Sequence, residues 1–368
     1  MNSISLLSKW MKSENASSNE TKKYAKILRE GLNLPSRNYR KMLSTMRKYI
    51  DVVECKMSAR EWNAINYETV PSRANLIYNN AFLRNDEERR REYLGKLEKG
   101  EVKINAGTLY PHDIVHKYGY GSSVDTALEE LWKALPNTVQ GCGNTIVVAD
   151  GSGSMTCNVG GNTRVIALDV ANALAIYFAE RSSGEFKDKY ITFSEKPQLV
   201  DFSNAKSLRD KLAIARRHSE VANTNIEAVF DLILSTAINN HMTQDEIPAN
   251  ILIVSDMEFD SCATTNSHCS NGWFSYRERP TTTLLNTIEQ KYKAAGYKLP
   301  RLIFWNVNSR TGTIPVKEND LGVALVSGFS VNIVNMVMSN KLDPYECLLD
   351  VLNTERYQPI EDALKDII

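Results

Sequence analysis

The sequence predicts an α/β protein: a doubly wound, mostly parallel sheet of Rossmann-like type, preceded by an all-helical region. Three observations carry this reading. Beyond Pro136, short apolar runs alternate with helix-length stretches, an order that gives parallel strands with helices on both faces. Those runs are apolar at nearly every position, as strands buried on both faces must be. Upstream of Pro136, apolar residues recur at three- and four-residue spacing, without strand alternation.

Residues 1–20 are polar and rich in Ser and Asn, and are expected to form a flexible N-terminus. Residues 21–135 form the helical domain, with five or six helices expected from stretches such as YRKMLSTMRKYIDVVE and EERRREYLGKLEKG. Gly100 closes the second of these, and SAREW and SRANLIY read as helix starts with Ser as cap. The α/β domain spans 140–340. TIVVAD (145–150), NILIVSD (250–256), RLIFWNV (301–307) and GVALVSG (322–328) are its strands. KYITFS (189–194) and PQLVDF (197–202) are close enough to pair as a hairpin. Helices are expected over 164–181, 207–218, 225–240 and 282–296, the last closed by Gly296. NIVNMVMS (332–339) precedes a helical tail over 341–368.

The 368 residues suffice for two or three domains at about 150 residues each. The chain is 42% hydrophobic and 24% charged, with no net charge, so overall charge points to neither nucleic acid nor membrane. The charge is unevenly placed, however. Residues 21–50 hold nine Lys or Arg against one Glu. The six cysteines have irregular spacing and no CxxC pair, which fits reduced thiols. No secretory leader or membrane-length apolar run is legible. The expectation is a cytoplasmic protein.

The stretch VVADGSGSMTCN (147–158) raises the functional question. Asp150 ends a buried strand, and Ser152 and Ser154 follow at alternate positions of a Gly-containing turn. Gly151 and Gly153 are expected to let the backbone bend there. Asp256 ends another strand, and Thr224 precedes the helix in NTNIEAVF. In open α/β sheets, ligands bind beyond the carboxyl ends of the strands. All five side chains offer oxygen, and a hard divalent cation such as Mg²⁺ takes about six oxygen ligands, waters included.

This set resembles the metal-ion-dependent adhesion site of the von Willebrand factor A domain. That family carries Asp-x-Ser-x-Ser after the first strand, a Thr in a later loop and an Asp after the fourth strand. Asp150, Ser152 and Ser154 match the first element, Thr224 the second and Asp256 the third, in family order across about 140–340. Two departures stand out. Met257 follows Asp256 where Gly is frequent, and Ala222 and Asn223 precede Thr224 in place of a glycine pair. The resemblance implies that Mg²⁺ or Mn²⁺ binds the serines and threonine directly or through water, and the two aspartates partly through water. A carboxylate of a protein partner would complete the sphere. The helical region ahead of such a domain is loosely similar in architecture to the Ro/TROVE ribonucleoproteins. KMSAREWNAINYETVPSRANLIYNNAFLRNDEER and INAGTLYPHDIVHKY look like a family found in phages, large viruses, bacteria and plants, which joins a helical region to an A domain. That family brings no established activity. A phage or viral origin would place the protein in the host cytoplasm.

Other chemistries fit less well. A phosphate loop needs Gly-Lys-Ser/Thr, and a nucleophile elbow needs Gly-x-Ser-x-Gly; both are absent from DGSGSM. His218, His241 and His268 fall at no expected strand end. Cys262, His268 and Cys269 lack a fourth zinc ligand at a recognisable spacing. In the loop after Asp256, Trp273, Phe274, Tyr276 and Arg277 suit partner contact. Lys22, Lys23, Lys26, Arg37, Arg40, Lys41, Arg47 and Lys48 are candidates for nucleic-acid phosphates, the alternative being a solvated helical face. The expected function is a non-enzymatic binding or scaffold protein, with an RNA-binding ribonucleoprotein component as the alternative. A Mg²⁺-dependent phosphoesterase is a more distant third.

Overall fold

Local sequence sets the first helices. Ser18 caps α2 (Asn19–Gly31), accepting from the Thr21 N–H at 3.3 Å. It lies between α1 (Leu7–Trp10) and α3 (Ser36–Tyr49). Then come α4 (Val53–Ala59), α5 (Ser72–Asn85) and α6 (Glu87–Glu98). The computed structural model describes residues 7–119, 123–139, 144–159, 164–219, 225–256, 281–308 and 323–328, with single positions between 345 and 362. The expected element at 332–339 lies outside them. The chain divides into two units, Met1–Ala106 and Gly107–Ile368.

Two expected helix starts need correction. Ser58 ends α4 rather than opening a helix, and its hydroxyl donates to the Glu54 carbonyl one turn back. Ser72 does open α5, but as its first helical residue behind Pro71, with no capping bond. The segment expected to fray is held in part by α3. The Arg47 guanidinium donates to the Met11 carbonyl (2.6 Å), the Ser13 hydroxyl (2.8 Å) and the Ser8 carbonyl (3.3 Å). Tyr39 donates to the Lys12 carbonyl at 2.8 Å.

At the centre of the first unit lies a fully buried charge. Arg90 donates to Asn79 Oδ1 at 2.9 and 3.1 Å and to Asn75 Oδ1 at 3.1 Å. Its guanidinium lies 5.0, 5.2 and 5.3 Å from the ring centroids of Tyr67, Phe82 and Tyr93. A buried cation is costly unless hydrogen-bonded, and the ring faces add electrostatic attraction. Tyr67 in turn donates to Asp86 at 2.8 Å, and Asp86 also accepts from Arg89.

The second unit opens with α7 (Pro111–Tyr118) and α8 (Thr126–Lys133). The rest follows as β1 (Thr145–Asp150), α9 (Ala167–Ala179), β2 (Lys189–Phe193), β3 (Leu199–Asp201), α10 (Leu208–Arg217), α11 (Ile226–Asn239), β4 (Asn250–Ser255), α12 (Thr281–Ala294), β5 (Arg301–Asn306) and β6 (Val323–Ser327). The sheet order is β3-β2-β1-β4-β5-β6. Among the described strands only β3 runs antiparallel, as the expected hairpin partner of β2. On one face Ile146, Val148, Ile251, Ile253 and Phe304 pack with α11 and α12 through Val229, Phe230, Ile233, Ile288 and Tyr292. On the other, α9 packs against β1, with α7 packed against α9. Every residue of α9 is buried, as befits a helix enclosed on both sides.

Helices α7 and α8, which the sequence groups with the helical region, belong to the sheet's unit. His116 Nδ1 lies 2.8 Å from the buried Asp169 of α9. Trp132 Nε1 donates to Glu180 at 2.8 Å. The Glu129 carboxylate accepts the first N–H groups of α10, from Leu208 (2.8 Å) and Arg209 (3.2 Å), satisfying donors that a helix start leaves orphaned.

The Arg90 arrangement makes a direct stability prediction. Asn79→Ala removes hydrogen bonds to a buried charge and is expected to cost about 2–3 kcal/mol in urea unfolding. Arg91→Ala breaks only an exposed pair with Glu87 and is expected to cost under about 0.5 kcal/mol. Equal costs would show that Arg90 is not central to the unit.

Candidate metal centre

The strand order creates the site. From β1 the chain winds outward through β2 and β3, then crosses back to add β4 on β1's other side. Strands β1 and β4 therefore flank the topological switch point, where a crevice opens beyond their carboxyl ends. Asp150 is the last residue of β1 and Asp256 follows β4; they are 2% and 0% exposed. The pairing of Ala149 with Val254 sets Asp150 level with Ser255.

Hydrogen bonds fix Asp150. Ser255 Oγ, fully buried, donates to its Oδ2 at 2.6 Å. The Ser152 N–H donates to its Oδ1 at 2.9 Å, an Asx turn that starts the loop. A short 3₁₀ turn, Gly153–Thr156, continues it, with Met155 fully buried beneath. The Ser152 and Ser154 hydroxyls lie 3.0 Å apart and partly exposed. The conformational role expected of the glycines is not what bends the chain. Neither Gly151 nor Gly153 has a positive φ, and a Cβ on Gly153 would meet open space.

Burial pushes the Asp150 carboxyl above the usual carboxylate range. The Ser255 and Ser152 hydrogen bonds pull it back, and the charge of nearby Asp256 raises it further. Among the described residues no Lys or Arg pairs with Asp150. The donors are all oxygen: two buried carboxylates with two hydroxyls at the mouth. This chemistry fits a hard divalent cation. Among the described residues no histidine hydrogen-bonds to Asp150, Ser152 or Ser154.

Sequence reading missed two residues here. Ser255 needed the β1–β4 register to be seen. Asn306 ends β5 level with Ser255, and its buried Oδ1 has no hydrogen-bond partner among the described residues. Asn308 Nδ2 lies 3.1 Å from Cys157 Sγ, linking the loop after β5 to the serine turn. Thr224 lies outside the described residues, as do Trp273, Phe274, Tyr276 and Arg277.

Among the basic candidates, Lys22, Lys23, Lys26, Arg37, Arg40, Lys41 and Lys48 are exposed. Arg47 is spent on the N-terminal segment. Among the described residues no helix is long and apolar enough to cross a membrane.

Fold and site together define a Rossmann-like α/β domain with an oxygen-lined switch point, carried on a chain with a helical N-terminal region. The family model described as Domain of unknown function (DUF7788) matches residues 144–360, and the chain belongs to that family. A second model, Domain of unknown function (DUF2828), matches residues 3–145. A protein of Acanthamoeba polyphaga mimivirus, described as uncharacterized, is 31% identical over 376 residues covering 97% of this chain. This chain spans 62% of that protein's length. The crystal structure of the Ro (RSR) protein of Deinococcus radiodurans is similar with a TM-score of 0.43 and 15% identity, over 91% of this chain and 72% of that one.

Two substitutions separate the structural from the electrostatic role of Asp150. Ser255→Ala removes a buried donor from a carboxylate and is expected to cost about 2 kcal/mol in chemical unfolding. Asp150→Asn removes the buried charge and its repulsion with Asp256, and is expected to raise the unfolding midpoint in EDTA. A lowered midpoint for Asp150→Asn would show that the charge stabilises the metal-free fold.

Proposed function

We propose that this protein is a non-enzymatic binding protein whose α/β unit holds Mg²⁺ or Mn²⁺ at Asp150, Ser152, Ser154 and Asp256. Thr224 serves as a further ligand. Through the cation the unit binds an acidic group of a protein partner. The observation that carries this is the pair of buried carboxylates at the switch point, beneath two serine hydroxyls 3.0 Å apart. Like charges buried side by side are costly, and a divalent cation offsets that cost. The cation keeps open positions because octahedral Mg²⁺ needs more ligands than these side chains provide. In this reading Trp273, Phe274, Tyr276 and Arg277 add contacts to the partner. A metal-dependent phosphoesterase would need a base to activate water; it is discarded if RNA, DNA and nucleotides are not turned over with Mn²⁺.

A second reading concerns the helical unit. Its exposed cations on α2 and α3 suit RNA, whose phosphates release counterions on neutralisation. The observation favouring it is that α3 carries no acidic residue along its whole length.

Calorimetric titration with Mn²⁺ tests the first reading. The intact protein is expected to bind, while Asp150→Ala and Asp256→Ala lose the binding. Unchanged binding in both variants would overturn it.

A further inference from the structure

On α3, residues 37, 40, 41, 44 and 48 share one face at helical spacing. Tyr39 and Leu43, buried at 0% and 3%, lie on the opposite face. The outer face therefore presents Arg37, Arg40, Lys41, Ser44 and Lys48 in a row, all exposed. A rise of about 1.5 Å per residue sets Lys41 roughly 6 Å beyond Arg37 along the axis and Lys48 about 10 Å beyond Lys41, with Arg40 beside Lys41. Among the described residues none of the four cations forms an ion pair. The contrast is α6, where Arg91 pairs with Glu87 and Lys96 with Glu92 one turn away, as charged surface helices usually arrange themselves.

The face is also devoid of apolar residues. A membrane-binding helix needs apolar side chains beside its cations, and a protein interface needs buried anchors at its centre. A bare cationic row has neither, and matches a polyanion read through its backbone. Aromatic residues stand beside the carboxyl end of α3, off the row itself: Tyr49 lies about 100° round the helix from Lys48, and α1, which carries Trp10, packs on the Met46 and Arg47 side. Tyr49 is 52% exposed, and Trp10, on α1 packed against α3, is 69% exposed. Exposed rings stack with unpaired bases and have no such use on a closed duplex.

We propose that the outer face of α3 is a docking ridge for single-stranded RNA, with Arg37, Arg40, Lys41 and Lys48 contacting its phosphates and Tyr49 and Trp10, beside the helix end, stacking bases. This rests on the second reading above and assigns it to one face of one helix. Arg47 takes no part, and the α2 lysines are secondary. Lys26 already reaches Glu30 at 4.0 Å.

The test is fluorescence anisotropy of the full chain with a labelled oligouridine across a salt series. The combined variant Arg37→Gln, Arg40→Gln, Lys41→Gln, Lys48→Gln is expected to bind at least about tenfold more weakly. Its log–log salt slope should fall by about 2.8, at about 0.7 per lost single-strand contact. The control Lys22→Gln, Lys23→Gln, Lys26→Gln should change affinity by less than about threefold. Tyr49→Ala with Trp10→Ala should weaken oligouridine by about tenfold or more. Loss in the α2 control with the α3 variant unaffected would overturn the ridge and leave the RNA reading standing. No binding by the intact protein would overturn both. Tighter binding of duplex RNA, or of an oligothymidine of equal length, would overturn the assignment to single-stranded RNA.

Discussion

The α/β unit is organised around a buried carboxylate held in place by hydrogen bonds, with no Lys or Arg paired to it among the described residues. Asp150 sits at the end of a central strand, where parallel neighbours exclude water. Its oxygens accept from Ser255 across the β1–β4 pair and from the Ser152 N–H of the next turn. These bonds orient the carboxylate and leave its charge intact, while Asp256 adds a second. Such a site is expensive in the empty fold. The sheet sustains it because β1 and β4 are buried at every position, which spreads the cost over a large apolar core. The same burial gives a cation bound there a strong, directional field.

The first unit handles buried charge in another way. Arg90 is enclosed by rings and amide oxygens, with Asn75 and Asn79 on α5 and Tyr67 and Tyr93 around it. Arg47 is directed inward to carbonyl oxygens of the N-terminal segment. The remaining cations of α3 are left to solvent on the far face. One kind of charge thus has three uses in the helical unit: a core keystone on α6, and a clamp and a surface row on α3.

Much of the sheet was legible in the sequence because its buried parallel strands are apolar at nearly every position. TIVVAD coincides with β1, and NILIVSD overshoots β4 only by Asp256. The Asp150, Ser152 and Ser154 turn was legible from its oxygen pattern, and Asp256 from its place at a strand end. What was not legible depends on partners distant in sequence. Ser255 acts through register with β1, and Asn306 through register with β4. Helices α7 and α8 have the periodicity of the preceding helices, and it is packing against α9 and bonds to Asp169, Glu180 and α10 that attach them to the sheet's unit. Arg47 is indistinguishable in sequence from Lys48, because the direction in which a helical side chain points is set by what packs against it.

The central claim is that the paired carboxylates form a divalent-cation site, and equilibrium unfolding of the intact chain tests it most directly. A ligand bound only by the native state stabilises it by about 2.7 kcal/mol at a hundredfold excess over its dissociation constant. The account predicts a higher urea midpoint in saturating Mn²⁺ than in EDTA, with the difference abolished by Asp150→Asn. Coincident midpoints for the unsubstituted protein with and without Mn²⁺ would contradict it.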